Sequence, residues 1–268
     1  MQFERVIEVT AEEVVIRDSL GNKCRVEWSA VSRIEASKVD LLTADDVRVE
    51  LVTGDRSCVA SEDDAGWEQL MNRLRTHFPI SQTWRENVLQ PPFATNRAVL
   101  WDRRVHEAQT RWKSSNLEAL WQLSRGDFAS DGALRDMYVH DVGVAEWNDI
   151  VAVARGTCSG LSVTSLGEQV PHELAKDHFV SDSRATIVFR VGSVGISGHC
   201  FDSSKIELSF APYEITSSID LGHLLEFAVT VAAFLQRPAF VTPENLAEAP
   251  IFRIDPNGDV QFFAPGAG

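Results

Sequence analysis

The feature that most constrains the fold is a long apolar segment near the end of the chain. Residues 221–235 read LGHLLEFAVTVAAFL, follow Asp220 and are stopped by Arg237 and Pro238. No run reaches the roughly 18 apolar residues that a membrane span needs, so the segment predicts a core helix. A helix that is apolar on most faces has to be buried on most faces. The remainder of the second half must therefore supply the elements that cover this helix.

The second half of the chain supplies such elements. Helices are predicted at Leu117–Ser124 and at Val144–Arg155, with Gly156 as the C-cap of the second helix. Alternating apolar patterns predict strands at residues 134–139, 161–165, 185–191, 194–200, 206–210, 239–241, 251–254 and 260–263. Residues 115–268 therefore predict an acidic α+β domain with an antiparallel sheet and one long buried helix.

The first 80 residues predict a separate domain of short strands and one helix. The strands are expected at residues 3–9, 13–17, 23–28, 32–41, 47–52 and 57–60, with Ile34, Ala36 and Val39 near one face. Ser61 is expected to cap an amphipathic helix that Pro79 ends. Its apolar positions follow helical spacing: Trp67, Leu70, Met71, Leu74 and Phe78.

This order of strands and a closing helix resembles bacterial pleckstrin-homology-like domains. The resemblance is carried by residues 32–40 (SRIEASKVD) and 47–74 (VRVELVTGDRSCVASEDDAGWEQLMNRL). It implies a small antiparallel β-barrel over residues 1–80, closed by a C-terminal helix. Such domains bind phosphoinositides or peptides, or have no known ligand. Lys23 and Arg25 stand isolated among acidic residues here, which argues against an anionic lipid and favours protein contact.

Residues 81–114 are interpreted as a joint rich in tryptophan, proline and arginine. Trp84, Trp101 and Trp112 alternate with several arginines, a mixture that can stack nucleic-acid bases. The surrounding chain is acidic and repels phosphate, so we expect these tryptophans to pack between domains instead. Val99–Lys113 is predicted to form a short helix.

Net charge narrows the classes of partner. The chain has a formal charge of −14, and residues 113–268 carry 20 acidic against 10 basic residues. This balance disfavours nucleic acid and anionic membrane and suits a basic protein. The N-terminal residues, MQFERVIEVTAEEVVIRD, lack the pattern of a signal peptide, so the protein is expected to be cytoplasmic.

No known catalytic or metal-binding motif is found in the sequence. The four cysteines stand alone and are expected to be buried thiols, with neither a metal site nor a disulfide. His172 begins a near match to a zinc-peptidase helix, but Lys176 stands where the second histidine is needed. The glycines of residues 190–198 lie between two strands and predict a hairpin, which offers no phosphate site. No cofactor is expected.

The second half also resembles small bacterial immunity-type proteins, the antidotes of polymorphic and contact-delivered toxins. The resemblance is carried by residues 132–139 (GALRDMYV) with Glu146-Trp147, by 205–210 (KIELSF) and by 237–245 (RPAFVTPEN). It covers the chain from about Leu134 to Phe263 and implies a non-enzymatic protein that occludes a cognate toxin. These motifs look structural, so no binding residue is carried over from the family.

Charge and resemblance together predict a non-enzymatic protein that binds a basic protein through its acidic second domain. The candidate contact residues are Asp127, Asp131, Asp141, Glu146, Asp149, Glu168, Glu173, Asp177 and Asp182.

Two alternatives stay open. One is an adaptor whose first domain binds a peptide or partner subunit and whose second domain forms a homodimer. The other is a hydrolase that uses Asp136, His140, Asp141 or His199.

Overall fold

The computed structural model describes residues 5–18, 20–40, 45–54, 56–92, 94–113, 116–170, 173–180 and 182–263. With 31% helix, 36% strand and antiparallel sheets, the fold class is α+β, as the sequence predicts. Two compact units are present: residues 1–103 with 155–157, and residues 104–154 with 158–268. Most of the segment interpreted as a joint lies in the first unit.

Seven strands of the first unit form two antiparallel sheets, of order β1-β2-β3 and β6-β5-β4-β7. The strands are β1 (Val6–Val9), β2 (Glu13–Arg17), β3 (Lys23–Glu27), β4 (Arg33–Asp40), β5 (Asp45–Thr53), β6 (Arg56–Ser61) and β7 (Asn96–Asp102). Their pairing closes no barrel among the described residues, so the barrel stays a prediction.

One hydrophobic core joins the two sheets. Val14 of β2, Leu51 of β5 and Leu70 of helix α1 (Trp67–His77) are all fully buried in it. Full burial of each such side chain contributes about 1.5–3 kcal/mol. The spacing that predicts α1 is therefore confirmed as its core-facing side.

The start of α1 differs from the prediction. Ser61 belongs to β6, where its hydroxyl donates to Asp46 at 2.6 Å and its backbone N–H donates to Asp64 at 2.8 Å. The chain then turns through Gly66, whose φ of +99° favours glycine. Ser61 is thus no N-cap, and the helix begins at Trp67.

The buried face of β4 also differs from the prediction. Ile34 and Ala36 are fully buried as expected, but the next buried residue is Lys38 and not Val39. A strand alternates strictly with a period of two, so the third inward position falls on the lysine. Composition alone argues against this position, because a lysine is rarely buried without a partner.

Lys38 and Asn96 hold the chain that follows helix α2 (Trp84–Leu89). The two residues face each other in the β4–β7 register. Their side chains donate to four successive carbonyls: Val88 (3.0 Å) and Gln90 (2.8 Å) from Asn96, and Leu89 (3.1 Å) and Pro91 (2.6 Å) from Lys38. The carbonyl groups at the end of a helix lack intrahelical partners, and these donors supply them. We call this arrangement the Lys38–Asn96 clamp.

A disulfide corrects the expectation that all cysteines are thiols. Cys24 on β3 and Cys58 on β6 are bonded, with their Cα atoms 5.8 Å apart. Each strand lies at an edge of its sheet, so the bond ties the two sheets together. Cys158 and Cys200 remain thiols, and burial raises the pKa of Cys200 to about 12.

Thiol titration checks this pairing. In denaturant without reductant, Ellman's reagent should detect only the thiols of Cys158 and Cys200; after reduction it should detect all four cysteines. Four reactive thiols before reduction, in protein purified without reductant, would contradict the disulfide.

The second unit is built on a nine-stranded antiparallel sheet of order β10-β9-β11-β12-β13-β8-β14-β15-β16. All eight strands predicted there are present, and β10 is an addition at the edge. The strands are β8 (Arg135–His140), β9 (Ser159–Ser165), β10 (Glu168–Gln169), β11 (Ala185–Val191), β12 (Val194–His199), β13 (Lys205–Phe210), β14 (Ala239–Pro243), β15 (Phe252–Ile254) and β16 (Val260–Phe262).

Within the described part of the chain, four α-helices accompany this sheet: α3 (Arg103–Trp112), α4 (Leu117–Ser124), α5 (Val144–Thr157) and α6 (Ser218–Leu235). The predicted apolar helix is α6. Its length and its mean hydropathy of 1.5 are those of a membrane span, and 61% of it is buried inside the structure. Phe227 of α6 packs on Phe189 of β11, with ring centroids 5.1 Å apart. The prediction of a core helix against the sheet is confirmed.

Two helix boundaries are corrected. The predicted helix at Val99–Lys113 divides at Arg103, because residues 96–102 pair with β4 as strand β7 before α3 begins. Gly156 is not a C-cap: α5 continues to Thr157. A Cβ atom at Gly156 would overlap the carbonyl of Val99, so glycine is required there by close packing.

Candidate functional site

The nine acidic residues predicted as a contact surface fall into three groups on the second unit. One group precedes β8, the second lies between β8 and the middle of α5, and the third extends from β10 to the start of β11. The groups are Asp127 and Asp131; Asp141, Glu146 and Asp149; and Glu168, Glu173, Asp177 and Asp182.

The first group, Asp127 and Asp131, forms hydrogen bonds with the buried side chain of Arg135. The buried guanidinium of Arg135 donates to the Asp127 carbonyl at 2.7 Å and to the Asp131 carboxylate at 3.0 and 3.3 Å. This hydrogen bonding lowers the pKa of Asp131, whereas burial raises the pKa of Asp127. Asp131 is engaged in this intramolecular ion pair, while 55% of its side chain remains exposed.

The second and third groups are brought together by Asn148 of α5. Its side-chain amide donates to the Leu174 carbonyl at 3.0 Å and accepts from the Leu174 N–H at 2.7 Å. Nearby, the ring of Phe179 packs edge-on against the fully buried ring of Trp147, with 5.8 Å between the ring centroids. The segment from Glu173 to Phe179 is therefore held against the first half of α5.

Five acidic residues of these two groups lie on α5, just before it, or between Glu173 and Asp182 in the chain, and we call them the α5 acidic surface. Asp141, Glu173, Asp177 and Asp182 are exposed, and Asp149 is half-buried. Lys176 and His178 lie in the same segment, where the ring of His178 accepts the Ala175 N–H at 2.8 Å. The surface remains predominantly negative.

The remaining two candidate residues lie elsewhere: Glu146 at the start of α5 and Glu168 on β10. Glu146 accepts the Gly143 N–H at 2.8 Å and so caps the start of α5. Glu168 is exposed on β10, the two-residue strand at the sheet edge. A charge on a short edge strand also discourages pairing with another sheet. Neither residue is part of the α5 acidic surface.

Asp136 of the hydrolase alternative does not converge with His140 or His199. The buried carboxylate of Asp136 accepts from Ser209 (2.7 Å), Tyr138 (3.1 Å) and the Asn245 N–H (2.9 Å). Burial, reinforced by the neighbouring carboxylates, raises the pKa of Tyr138 well above its ordinary value. Three hydrogen-bond donors thus contact the Asp136 carboxylate, which is consistent with a structural role for this residue.

The two histidines of that alternative lie apart from this carboxylate. His140 is four residues along β8 from Asp136, about 13 Å away in an extended strand. His199 on β12 is exposed and lies 3.1 Å from the Thr186 hydroxyl. In the register of β8, β13 and β12, Asp136 lies beside Ser209 and then Ser197, so His199 is two strands and two residues away from it. Neither histidine is therefore within proton-transfer distance of the Asp136 carboxylate.

Two other motifs of the sequence remain, the near match to a zinc-peptidase helix and the glycine-rich segment of residues 190–198. His172 lies outside the described residues, among which no cluster of three metal-binding side chains occurs. The glycine-rich segment forms the predicted hairpin of β11 and β12. At its turn Ser193 donates to Asp220 at 2.5 Å, and this hydrogen bond is the main cause that lowers the Asp220 pKa to about 2.

The tryptophans of residues 81–114 are not displayed for base stacking. Trp84 and Trp112 are buried, and Trp101 packs on Phe78 at 4.7 Å. Trp84 and Trp101 pack in the core of the first unit, rather than between domains as predicted.

A cleft in the first unit was not predicted. It has a volume of about 610 Å³ and lies between the β1–β2 turn, the end of β3 and the end of α1. Its lining is aromatic and acidic: Ala11, Glu12, Glu13, Glu27, Trp28, Ser29, His77 and Phe78. The predicted pairing of β2 with β3 brings Glu12, Glu13 and Glu27 together. His77 and Phe78 at the end of α1 join them only through the tertiary packing of the helix.

Comparison with known protein families, with curated proteins and with solved structures finds no match to this chain.

Proposed function

We propose that this chain is a non-enzymatic protein that binds a basic protein through the α5 acidic surface. The observation that supports this most directly is the pair of Asn148 hydrogen bonds, which hold Glu173 and Asp177 beside α5. A preorganised acidic surface attracts a basic partner during encounter and loses little freedom when the complex forms.

Within this proposal, the partner is a bacterial toxin and the chain is its immunity-type antidote. The net charge of residues 113–268 and the motifs of residues 132–139 and 205–210 support it. The first unit serves as a pleckstrin-homology-like module, because its two sheets share one core with a following helix. The cytoplasmic location is part of the same proposal, which therefore requires the Cys24–Cys58 disulfide to persist against cytoplasmic reductants.

Binding to the product of the adjacent gene tests the proposal. We expect a complex at 50 mM NaCl whose association rate falls on raising the salt to 300 mM, because salt screens exposed charges. Neutralising the surface in the double variant Glu173→Gln/Asp177→Asn should slow association about threefold to tenfold at low salt.

The matched control is Glu118→Gln/Glu248→Gln, which removes two exposed charges elsewhere on the second unit. It should change the association rate less than twofold. An equal loss in both variants would make net charge, and not the α5 acidic surface, the cause. Absence of any complex at 50 mM NaCl would overturn the proposed partner.

A further inference from the structure

We propose that the cleft of the first unit binds the guanidinium group of an arginine side chain presented by another protein. This site goes beyond the proposed function, since it lies in the other unit and shares no residue with the α5 acidic surface.

The floor of the cleft is aromatic and held in place. The ring of His77 stacks on the ring of Trp28, with 5.4 Å between the ring centroids and 19° between the ring planes. Trp28 donates its indole N–H to the Thr10 carbonyl at 3.3 Å and its backbone N–H to the Glu12 carbonyl at 3.0 Å. His77 is exposed while Trp28 and Phe78 are buried. A flat cation can therefore stack on the imidazole over a fixed aromatic base.

The walls of the cleft carry carboxylates. Glu13 and Glu27 face each other in the β2–β3 register, an arrangement of like charges that is unfavourable without a nearby cation. Arg25 of the chain approaches Glu13 at 3.4 Å, so a guanidinium can reach this wall. Among the described residues Glu12 and Glu27 form no ion pair, and both are exposed.

The end of α1 adds to the negative potential. His77 is the last residue of this 11-residue helix, and the C-terminal end of a helix carries a partial negative charge. Carboxylates and helix end together favour a cation and disfavour a phosphate or carboxylate ligand.

The shape of the site selects arginine over lysine. A guanidinium is planar, so it can stack on His77 while its N–H groups reach the carboxylates in pairs. The methylene groups of the same side chain can lie on the apolar floor. A lysine ammonium cannot stack in this way and keeps a stronger hydration shell.

The test uses Nα-acetyl-arginine amide as the probe and the whole ¹⁵N-labelled chain. We expect saturable chemical-shift changes at the backbone amides of Trp28 and His77 and at the Trp28 indole N–H. The dissociation constant should be of millimolar order, as for a single side chain without the rest of its protein. Nα-acetyl-citrulline amide, which has the same shape without the charge, should leave these resonances in place. Nα-acetyl-lysine amide should bind at least about threefold more weakly.

The double variant Glu12→Gln/Glu27→Gln should weaken binding of the arginine probe at least about fivefold. The control Glu68→Gln/Glu86→Gln removes two exposed charges of the same unit outside the cleft and should change the affinity less than twofold. All substituted side chains are exposed, so unchanged backbone spectra will verify that the variants are folded.

Three outcomes would overturn the assignment: equal shifts with the citrulline probe, equal weakening in the control variant, or no shifts at Trp28 and His77. Because the proposed toxin contact is measured with different variants and a different probe, its failure would be distinguishable from this one.

Discussion

Replacing Lys38 by methionine is expected to lower the free energy of unfolding of the first unit by about 3 kcal/mol. The lysine side chain is fully buried, and methionine nearly matches its volume. Methionine donates no hydrogen bond, so the carbonyls of Leu89 and Pro91 would lose their donor. Each carbonyl left unsatisfied costs about 1–3 kcal/mol. Asp45, whose carboxylate lies 3.5 Å from the ammonium, would lose its partner as well.

Urea unfolding followed by tryptophan fluorescence measures this loss, because Trp84 of α2 is buried beside the clamp. Lys23→Met is the matched control: Lys23 is exposed on β3, and its replacement should change stability by less than about 0.5 kcal/mol. Equal midpoints for the two variants would mean that the Lys38–Asn96 clamp does not stabilise the fold.

Replacing Gly156 by alanine is expected to cost about 2–3 kcal/mol, although alanine is the better helix former by about 1 kcal/mol. The added Cβ atom would overlap the Val99 carbonyl. The helix end cannot retreat freely, because Arg155 donates to the Arg97 carbonyl at 2.7 Å and its own carbonyl accepts from Asn87 at 3.1 Å. Steric overlap therefore outweighs helix propensity.

Differential scanning calorimetry of Gly156→Ala should show a fall in Tm of several degrees. Gly126→Ala is the control, because a Cβ at that loop position meets nothing within 4 Å. Its expected effect is within about 0.5 kcal/mol. A rise in Tm for Gly156→Ala would mean that propensity prevails and that Gly156 is not required by packing.

Hydrophobic periodicity predicted elements well where the local pattern was unambiguous. Helix α4 occupies the predicted Leu117–Ser124, and the strands of the nine-stranded sheet lie where alternation indicated. At residues 99–113 an apolar run before a helical pattern fits a strand and a helix equally well, so the pattern alone does not divide the segment. Pairing with β4 decided for the strand up to Asp102.

The candidate site was predicted only in part. The net charge predicts that the acidic residues of the second half form the contact surface. How these residues are grouped in space depends on the side chains and backbone groups that each of them contacts. Asp131 pairs with Arg135, four residues away in the chain, and the segment of Glu173 and Asp177 is held beside α5 by Asn148, which lies 26 residues before Leu174. A count of charges carries no information on such partners.

The sequence by itself determined the α+β class, the positions of most helices and strands, and the burial of residues 221–235. These follow from local periodicity, because an apolar face is buried from water whatever element packs against it. The tertiary structure alone decided the Cys24–Cys58 bond, the carbonyl partners of Lys38 and the cleft where Trp28 meets His77. Each of these joins residues far apart in the chain, so it depends on how the sheets and helices pack and not on any local preference.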